Sequence, residues 1–114
     1  MSQTVLRLNP DAAAGQQGRP PEDRRVAGDP VFTTWEIEDA GGLYAGLWQS
    51  TPGAWRVVYD EWEYCHILRG HSVLRGEDGE TFDLRAGDSI VIRPGFRGVW
   101  EVIETTLKDY VIRA

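Results

Sequence analysis

The residues best suited to chemistry lie close together, between Tyr59 and Gly70. This stretch has the sequence Tyr-Asp-Glu-Trp-Glu-Tyr-Cys-His-Ile-Leu-Arg-Gly. It contains carboxylates, tyrosine, the only cysteine of the chain and one of its two histidines. Such groups exchange protons, hold ligands or bind metal ions. We expect one side of any reactive or ligand-binding centre to lie here.

Alternation along an extended strand decides which of these side chains share a face. Tyr59, Glu61, Glu63 and Cys65 have the same parity, although a turn at residues 60–62 would change the side of Glu61. Glu63 is the strongest catalytic candidate, because a carboxylate pointing into an apolar barrel suits a general base or an anchor for a cationic or amide ligand. A buried structural glutamate bonded to a tyrosine or an arginine is the alternative.

The neighbours of Glu63 differ in what they could do. Tyr59, the second catalytic candidate, could donate to a ligand carboxylate or transfer a proton together with Glu63. Cys65 is expected at the pocket but not as a nucleophile, because burial beside carboxylates raises the pKa of a thiol. His66 has the opposite parity and His71 follows a glycine turn, so neither is expected to form a catalytic triad or dyad.

Aromatic residues elsewhere in the chain are candidates for the wall of the same pocket. Trp100 has the same parity as Gly98, and Trp48 and Phe96 are its expected companions. Aromatic walls favour a flat or apolar ligand, or a cation held by π contact. The missing side chain at Gly98 would leave room for a ligand or for the indole ring. Core packing is the alternative for all three aromatic rings.

Short strands, separated by turn signals from Val31 onward, must position these residues. The predicted strands are Val31–Glu38, Leu43–Gln49, Ala54–Tyr59, Glu63–Arg69, Ser72–Arg75, Thr81–Leu84, Ser89–Ile92, Gly98–Ile103 and Leu107–Ile112. About eight or nine strands at intervals of roughly 8–12 residues favour an all-β antiparallel sandwich or barrel. Spacing alone does not choose between jelly-roll, immunoglobulin-like and lipocalin-like closure. Prolines and glycines predict an irregular arm over residues 1–30, ahead of one domain over residues 31–114.

Composition excludes several classes of function. The 114 residues suffice for one domain with a modest core. The net charge of -6 and the pI near 4.8 argue against nucleic acid and anionic membranes as partners. One cysteine forms no internal disulfide, and no basic start precedes a long apolar run, so neither a signal peptide nor a transmembrane helix is expected. We therefore predict a cytoplasmic protein.

Two motifs resemble those of the cupin superfamily. Gly53, Tyr59, Glu63 and Gly70 resemble the first cupin motif, in which two histidines and a glutamate follow a glycine and another glycine stands seven residues after that glutamate. Residues 87–100 resemble the second motif, which has a glycine, a proline, a glycine and a histidine. The runs Glu-Tyr-Cys-His-Ile-Leu-Arg-Gly and Pro-Gly-Phe-Arg-Gly-Val-Trp-Glu-Val are similar to one subfamily in particular. That subfamily includes the C-terminal domain of ureidoglycine aminohydrolase, the ethanolamine-utilisation cupin and many small stand-alone members of unassigned function.

The resemblance implies a double-stranded β-helix, or jelly roll, over about residues 32–112, with both motifs facing one cavity. In a typical cupin the histidines and the glutamate surround a divalent metal ion. Glu63 falls on the glutamate position and is the only matched ligand. The histidine positions fall on Val57 and Tyr59 or, with a longer gap, on Arg56 and Val58, and on Gly98 in the second motif.

Two interpretations of function follow. The favoured one is a small cupin that binds a small polar metabolite in its barrel pocket, without a cofactor and without the usual His-based metal site. The alternative is an enzyme of small nitrogen-compound metabolism, of the ureidoglycine or ethanolamine type, with Glu63 as proton-transfer group or remaining metal ligand. Manganese, magnesium or zinc would then be the metal, with Glu61 as a further ligand for a hard ion. Open sheet edges also predict a homodimer.

Overall fold

The computed structural model of the protein describes residues 3–114 and is almost entirely β-sheet. Its nine strands are β1 (Gln16–Gly18), β2 (Arg25–Gly28), β3 (Phe32–Ala40), β4 (Leu43–Ser50), β5 (Gly53–Val58), β6 (Trp62–Gly76), β7 (Thr81–Arg85), β8 (Ser89–Ile92) and β9 (Arg97–Arg113). A short 3-10 helix, Pro10–Ala12, precedes β1.

Two long strands, β6 and β9, form the centre of the sheet. One edge of β9 pairs with β5 along residues 97–102 and with β4 along residues 106–113, while the other edge pairs with β6. The strand order is β1-β3-β4-β9-β5-β2, and β6 also pairs with β7 and β8. All these ladders are antiparallel, and the two halves of the long strands fold the sheet over onto itself. The predicted all-β jelly roll, or double-stranded β-helix, is confirmed.

The long strands differ from the sequence prediction, which divided each of them in two. The predicted break at Gly70 is instead an irregularity within β6, where the register against β9 shifts between Ile67 and Ser72. Gly70 has a φ of +98°, and a Cβ there would overlap the carbonyl oxygen of Thr105 on β9. Glycine is therefore required by the close approach of two backbones, not by a chain reversal.

The N-terminal segment, residues 16–28, contains both end strands of the order β1-β3-β4-β9-β5-β2. β1 pairs with β3 at one end, and β2 pairs with β5 at the other. The residues between β1 and β2 bind to β5 through their backbone carbonyls. The Arg56 amide donates to the carbonyl of Arg24, and the Arg56 guanidinium donates to the carbonyl of Asp23. Pro20 is buried in this connection. The segment is thus part of the barrel wall on the side where the site described below lies.

The core fills the interior between the two halves of the curled sheet. Inward-facing positions of the strands supply it, because alternate residues of a strand point to the same face. The buried cluster consists of Trp55, Cys65, Ile67, Leu74, Leu84, Ile92, Trp100 and Val102. Within residues 3–114, no helix has the length and apolar character needed to cross a membrane.

Candidate functional site

A cavity of about 560 Å³ lies inside the barrel, bordered by β3, β4, β5, β6 and β9 and by the N-terminal connection. Aromatic side chains are prominent in its wall. The aromatic lining residues are Phe32, Tyr44, Trp48, Trp55, Tyr59, Trp100 and Tyr110. The charged lining residues are Arg24, Glu36, Arg56, Glu61, Glu63 and Lys108. Polar groups set into an apolar, concave surface are typical of a small-molecule site.

A buried ion pair forms the floor of this cavity. The Lys108 ammonium donates to Oε2 of Glu63 at 3.0 Å, and the Tyr59 hydroxyl donates to Oε1 of the same carboxylate at 2.7 Å. The side chains of Lys108 and Glu63 are only 6% and 5% exposed. Alternation positions them, because Glu63 lies on the inward face of β6 and Lys108 on the inward face of the neighbouring β9.

Lys108 is surrounded by groups that stabilise a cation. Besides Glu63, Nζ lies 3.4 Å from Sγ of Cys65. It also lies 4.7 Å from the ring centroid of Trp48 and 4.6 Å from that of Trp100. Ring faces attract a cation most strongly when water is excluded, and the opposite charge of the carboxylate offsets much of the desolvation cost. This lysine is therefore held as a buried ammonium.

Burial also shifts the pKa values around the ion pair. Burial alone would lower the pKa of Lys108, but negative charge at Cys65, once its thiol is ionised, and at Glu63 more than offsets that effect, so this pKa lies above the ordinary value. Burial raises the pKa of Cys65 to about 12, although Lys108 opposes the shift. Burial, and to a smaller extent the negative charge of Glu63, raises the pKa of Tyr59 well above its ordinary value of 10.0. At neutral pH Lys108 is thus an ammonium, Cys65 a neutral thiol and Tyr59 a neutral phenol.

These shifts predict that the protein loses stability in alkaline solution. Cys65, Tyr59, Lys108 and Tyr110 hold their protons more tightly in the folded protein, so the unfolded chain releases them first as the pH rises. Their stabilisation is complete below about pH 9 and is lost towards pH 12. For Cys65 alone, the change from 9.0 to about 12 corresponds to about 4 kcal/mol.

Urea unfolding at pH 8, 9.5 and 11, followed by tryptophan fluorescence, checks this expectation. The Cys65→Ala variant is the control, because it should lose its own share of the pH dependence and keep the rest. A free energy of unfolding that stays constant between pH 8 and pH 11 would contradict the buried protonated cluster.

The structure places the sequence candidates in three locations. Tyr59, Glu61, Glu63, Trp48 and Trp100 all line the cavity. Cys65 is fully buried beneath the ion pair and does not reach the cavity wall. Phe96 packs edge-on against Tyr59, with 6.3 Å between the ring centroids, and lines a separate groove together with Leu74 and Ile92.

The histidines lie outside the cavity. His66 pairs with Asp109 at 3.3 Å, and His71 pairs with Asp83 at 2.6 Å. His66 therefore has the outward orientation that its parity predicts. Neither histidine lies with Glu63, so the only imidazoles of the chain are absent from the ion-pair cluster.

Sequence reasoning missed the two most informative residues of the site. Lys108 is the only lysine of the chain and lies within the predicted strand Leu107–Ile112, which was a usable signal. Trp55 pairs with Trp100 across β5 and β9, and its ring lies 4.7 Å from that of Phe32. These partners are remote in sequence, and their proximity depends on the pairing of β9 with both β4 and β5.

The positions that hold the metal in cupins do not provide a suitable donor set here. Valine has no donor atom, and the Tyr59 hydroxyl already donates to Glu63. Zinc, iron and copper prefer imidazole or thiolate ligands, which these positions lack. Within residues 3–114, no cluster of three or more histidine, cysteine or acidic side chains has metal-binding geometry.

Gly98, at the position of the second-motif histidine, makes the mismatch steric as well. A Cβ at Gly98 would overlap the carbonyl oxygen of Arg75 on β6 and lie 2.9 Å from the Phe96 ring. The interpretation that this glycine leaves room for a ligand or for the indole is therefore wrong, since backbone fills the space. The residues present do not fit a His-based metal ion.

The curled antiparallel sheet and its internal cavity define the class of the protein, which is a cupin barrel. Residues 37–110 match the family model described as the EutQ-like cupin domain. Because the match spans more than half of the chain, the protein belongs to that family. The resemblance inferred from the two sequence motifs is thus confirmed. No functionally curated protein matches the chain.

Solved structures with the same fold include proteins described as EutQ and as DUF861 family members. A DUF861 protein of unknown function from Pseudomonas syringae pv. tomato str. DC3000 has a TM-score of 0.82 and 21% identity, over 92% of this chain and 46% of that chain. The EutQ protein of Clostridium difficile has a TM-score of 0.67 and 16% identity, over 74% and 63%. A DUF861 protein from Thermotoga maritima has a TM-score of 0.55 and 31% identity, over 56% and 73%. This chain spans about half the length of the Pseudomonas protein.

Proposed function

We propose that the protein binds a small polar metabolite in the barrel cavity, without a His-based metal site. The observation that supports this function is the aromatic cavity of about 560 Å³ with the Glu63–Lys108 pair at its floor. Its volume lies within the range of roughly 300–1,000 Å³ that is usual for small-ligand sites. Aromatic faces on several sides favour a flat ligand.

The lining charges indicate the overall charge of that ligand. Three cationic side chains, Arg24, Arg56 and Lys108, are matched by three glutamates, Glu36, Glu61 and Glu63. A cavity with balanced charges favours a neutral polar or zwitterionic molecule over a strongly charged one.

Filling the cavity should weaken this binding. We expect Thr34→Phe, which places a ring among the lining residues, to weaken the binding of a metabolite at least about tenfold, which is about 1.4 kcal/mol. Thr105→Phe is the matched control, because Thr105 is exposed on β9 outside the cavity. It should leave the affinity within about twofold.

The measurement begins with thermal shift of the wild type against a panel of amines, amides, ureides, amino acids and organic acids. Any compound that stabilises the protein is then titrated by tryptophan fluorescence, since Trp48, Trp55 and Trp100 line the cavity. A wild type that responds to no member of the panel, or a Thr34→Phe variant that binds as the wild type does, would contradict the proposal.

A second candidate function is an enzyme of small nitrogen-compound metabolism. The observation that favours it is the 2.7 Å hydrogen bond between Tyr59 and Glu63 at the cavity floor, which is suitable for proton transfer. A solved structure with the same fold, described as a putative ethanolamine utilization protein from Salmonella typhimurium, suggests the same class of substrate. Turnover of a cavity-binding compound, lost in Glu63→Gln while binding persists, would establish this function over simple binding.

A further inference from the structure

The one carboxylate that matches a cupin metal ligand is occupied by a cation of the chain itself. Oε2 of Glu63 accepts a hydrogen bond from the ammonium of Lys108 at 3.0 Å. Glu63 has the family's glutamate position in β6, whereas Lys108 belongs to β9 and to neither of the two sequence motifs. The other ligand positions of the cupin metal site have no metal-binding side chain here. Glu63, the one ligand that is kept, already binds the ammonium of Lys108.

The surroundings of the Lys108 ammonium resemble a cation-binding site in their chemistry. A carboxylate oxygen, the sulfur of Cys65 and the faces of two indole rings contact or face Nζ. The ammonium and a divalent ion would compete for the same carboxylate, and their like charges would repel at this distance in a buried site. The two cations are therefore mutually exclusive.

We propose that the ammonium of Lys108 takes the place of the divalent metal ion in this barrel, as a permanent internal cation. Its role is to balance Glu63 and, if the cavity binds a metabolite as proposed above, to offer a ligand oxygen its remaining N–H. An ammonium has three donors, and Glu63 and Cys65 use two of them. A carbonyl or carboxylate oxygen is the group that the third donor would hold.

The test is to remove the attached cation and to supply a free one. Lys108→Ala deletes Cγ, Cδ, Cε and Nζ, and n-propylammonium has the same four heavy atoms. We expect this compound to raise the thermal midpoint of Lys108→Ala saturably, by about 5 °C at tenfold excess over its Kd. The wild type should not respond at the same concentrations. n-Propanol, which has the same number of heavy atoms but no positive charge, should have no effect on either protein.

A matched variant separates cation binding from the filling of an empty space. Val102→Ala also removes a buried side chain from β9, but leaves no carboxylate unpaired. It should not respond to n-propylammonium. If Lys108→Ala is unaffected by n-propylammonium, or if Val102→Ala is stabilised equally, the proposed cation site is wrong.

The wild type provides a test that does not depend on the folding of a variant. With Lys108 in place, Zn²⁺ and Mn²⁺ should not bind by isothermal titration, and dialysis against a chelator should not change the thermal midpoint. Stoichiometric metal bound at Glu63 in the wild type would overturn the proposal. This outcome differs from a failure of the metabolite screen, which would contradict the proposed function and leave the internal cation in place.

Discussion

Replacing Glu63 by glutamine is expected to lower the free energy of unfolding by about 3–5 kcal/mol. The shape of the side chain is kept, and Tyr59 can still donate to the amide oxygen. What is lost is the negative charge opposite Lys108, whose side chain is only 6% exposed. Leaving a buried ammonium without its counter-ion lowers the free energy of unfolding by far more than the intact ion pair adds to it. Urea unfolding at pH 7, followed by tryptophan fluorescence, measures the loss.

A double-mutant cycle distinguishes this effect from a general disturbance of the core. The variant Glu63→Gln/Lys108→Met removes both charges and keeps similar volumes, so it should be substantially more stable than Glu63→Gln alone. Glu101→Gln is the surface control. Glu101 pairs with Arg75, and their side chains are 38% and 49% exposed. It should change the stability by less than about 1 kcal/mol. An equally small loss for Glu63→Gln would mean that Lys108 is not held as a buried charge.

The strands were predictable because their signals are local, whereas the jelly roll followed from the resemblance to the cupin motifs. Alternating residues and turn signals located most strands to within one or two residues, and β8 was predicted with its observed bounds, Ser89–Ile92. The errors lie where a long-range contact decides the outcome. Gly70 has the sequence signature of a turn, but its conformation serves a backbone contact with Thr105, which lies on another strand. No local pattern contains that information.

The site was also predictable only in part, and the part that the sequence missed again depends on a long-range contact. Parity together with the motif register identified Glu63 and Tyr59 as candidates for one site, and the structure joins them by a hydrogen bond across the turn between β5 and β6. Lys108 belongs to the same cluster but comes from a strand 45 residues later in the chain. Its approach to Glu63 depends on the register between β6 and β9, in which Glu63 pairs with Ile112 and Ile67 pairs with Lys108. The alternation of residues along either strand does not contain that register.

Gly98→Ala is expected to lower the free energy of unfolding by about 2–3 kcal/mol, a large effect for one methyl group. The new Cβ would overlap the carbonyl of Arg75, which is backbone and is fixed by the pairing of β6 with β9. Relief requires the two central strands to separate locally, because no flexible side-chain end can move aside. Urea unfolding and the loss of amide protection along residues 72–76 and 98–102 are the measurements.

Gly18→Ala is the matched control for this substitution. Gly18 also lies in a strand, but a Cβ there would meet no atom within 4 Å. Its change in stability should stay within about 0.5 kcal/mol and could be favourable, since alanine reduces the entropy of the unfolded chain. Equal stabilities of Gly98→Ala and the wild type would show that β6 and β9 can separate at this point. In that event Gly98→His would become a way to rebuild a metal ligand, whereas the contact with Arg75 predicts that this variant neither folds stably nor binds zinc.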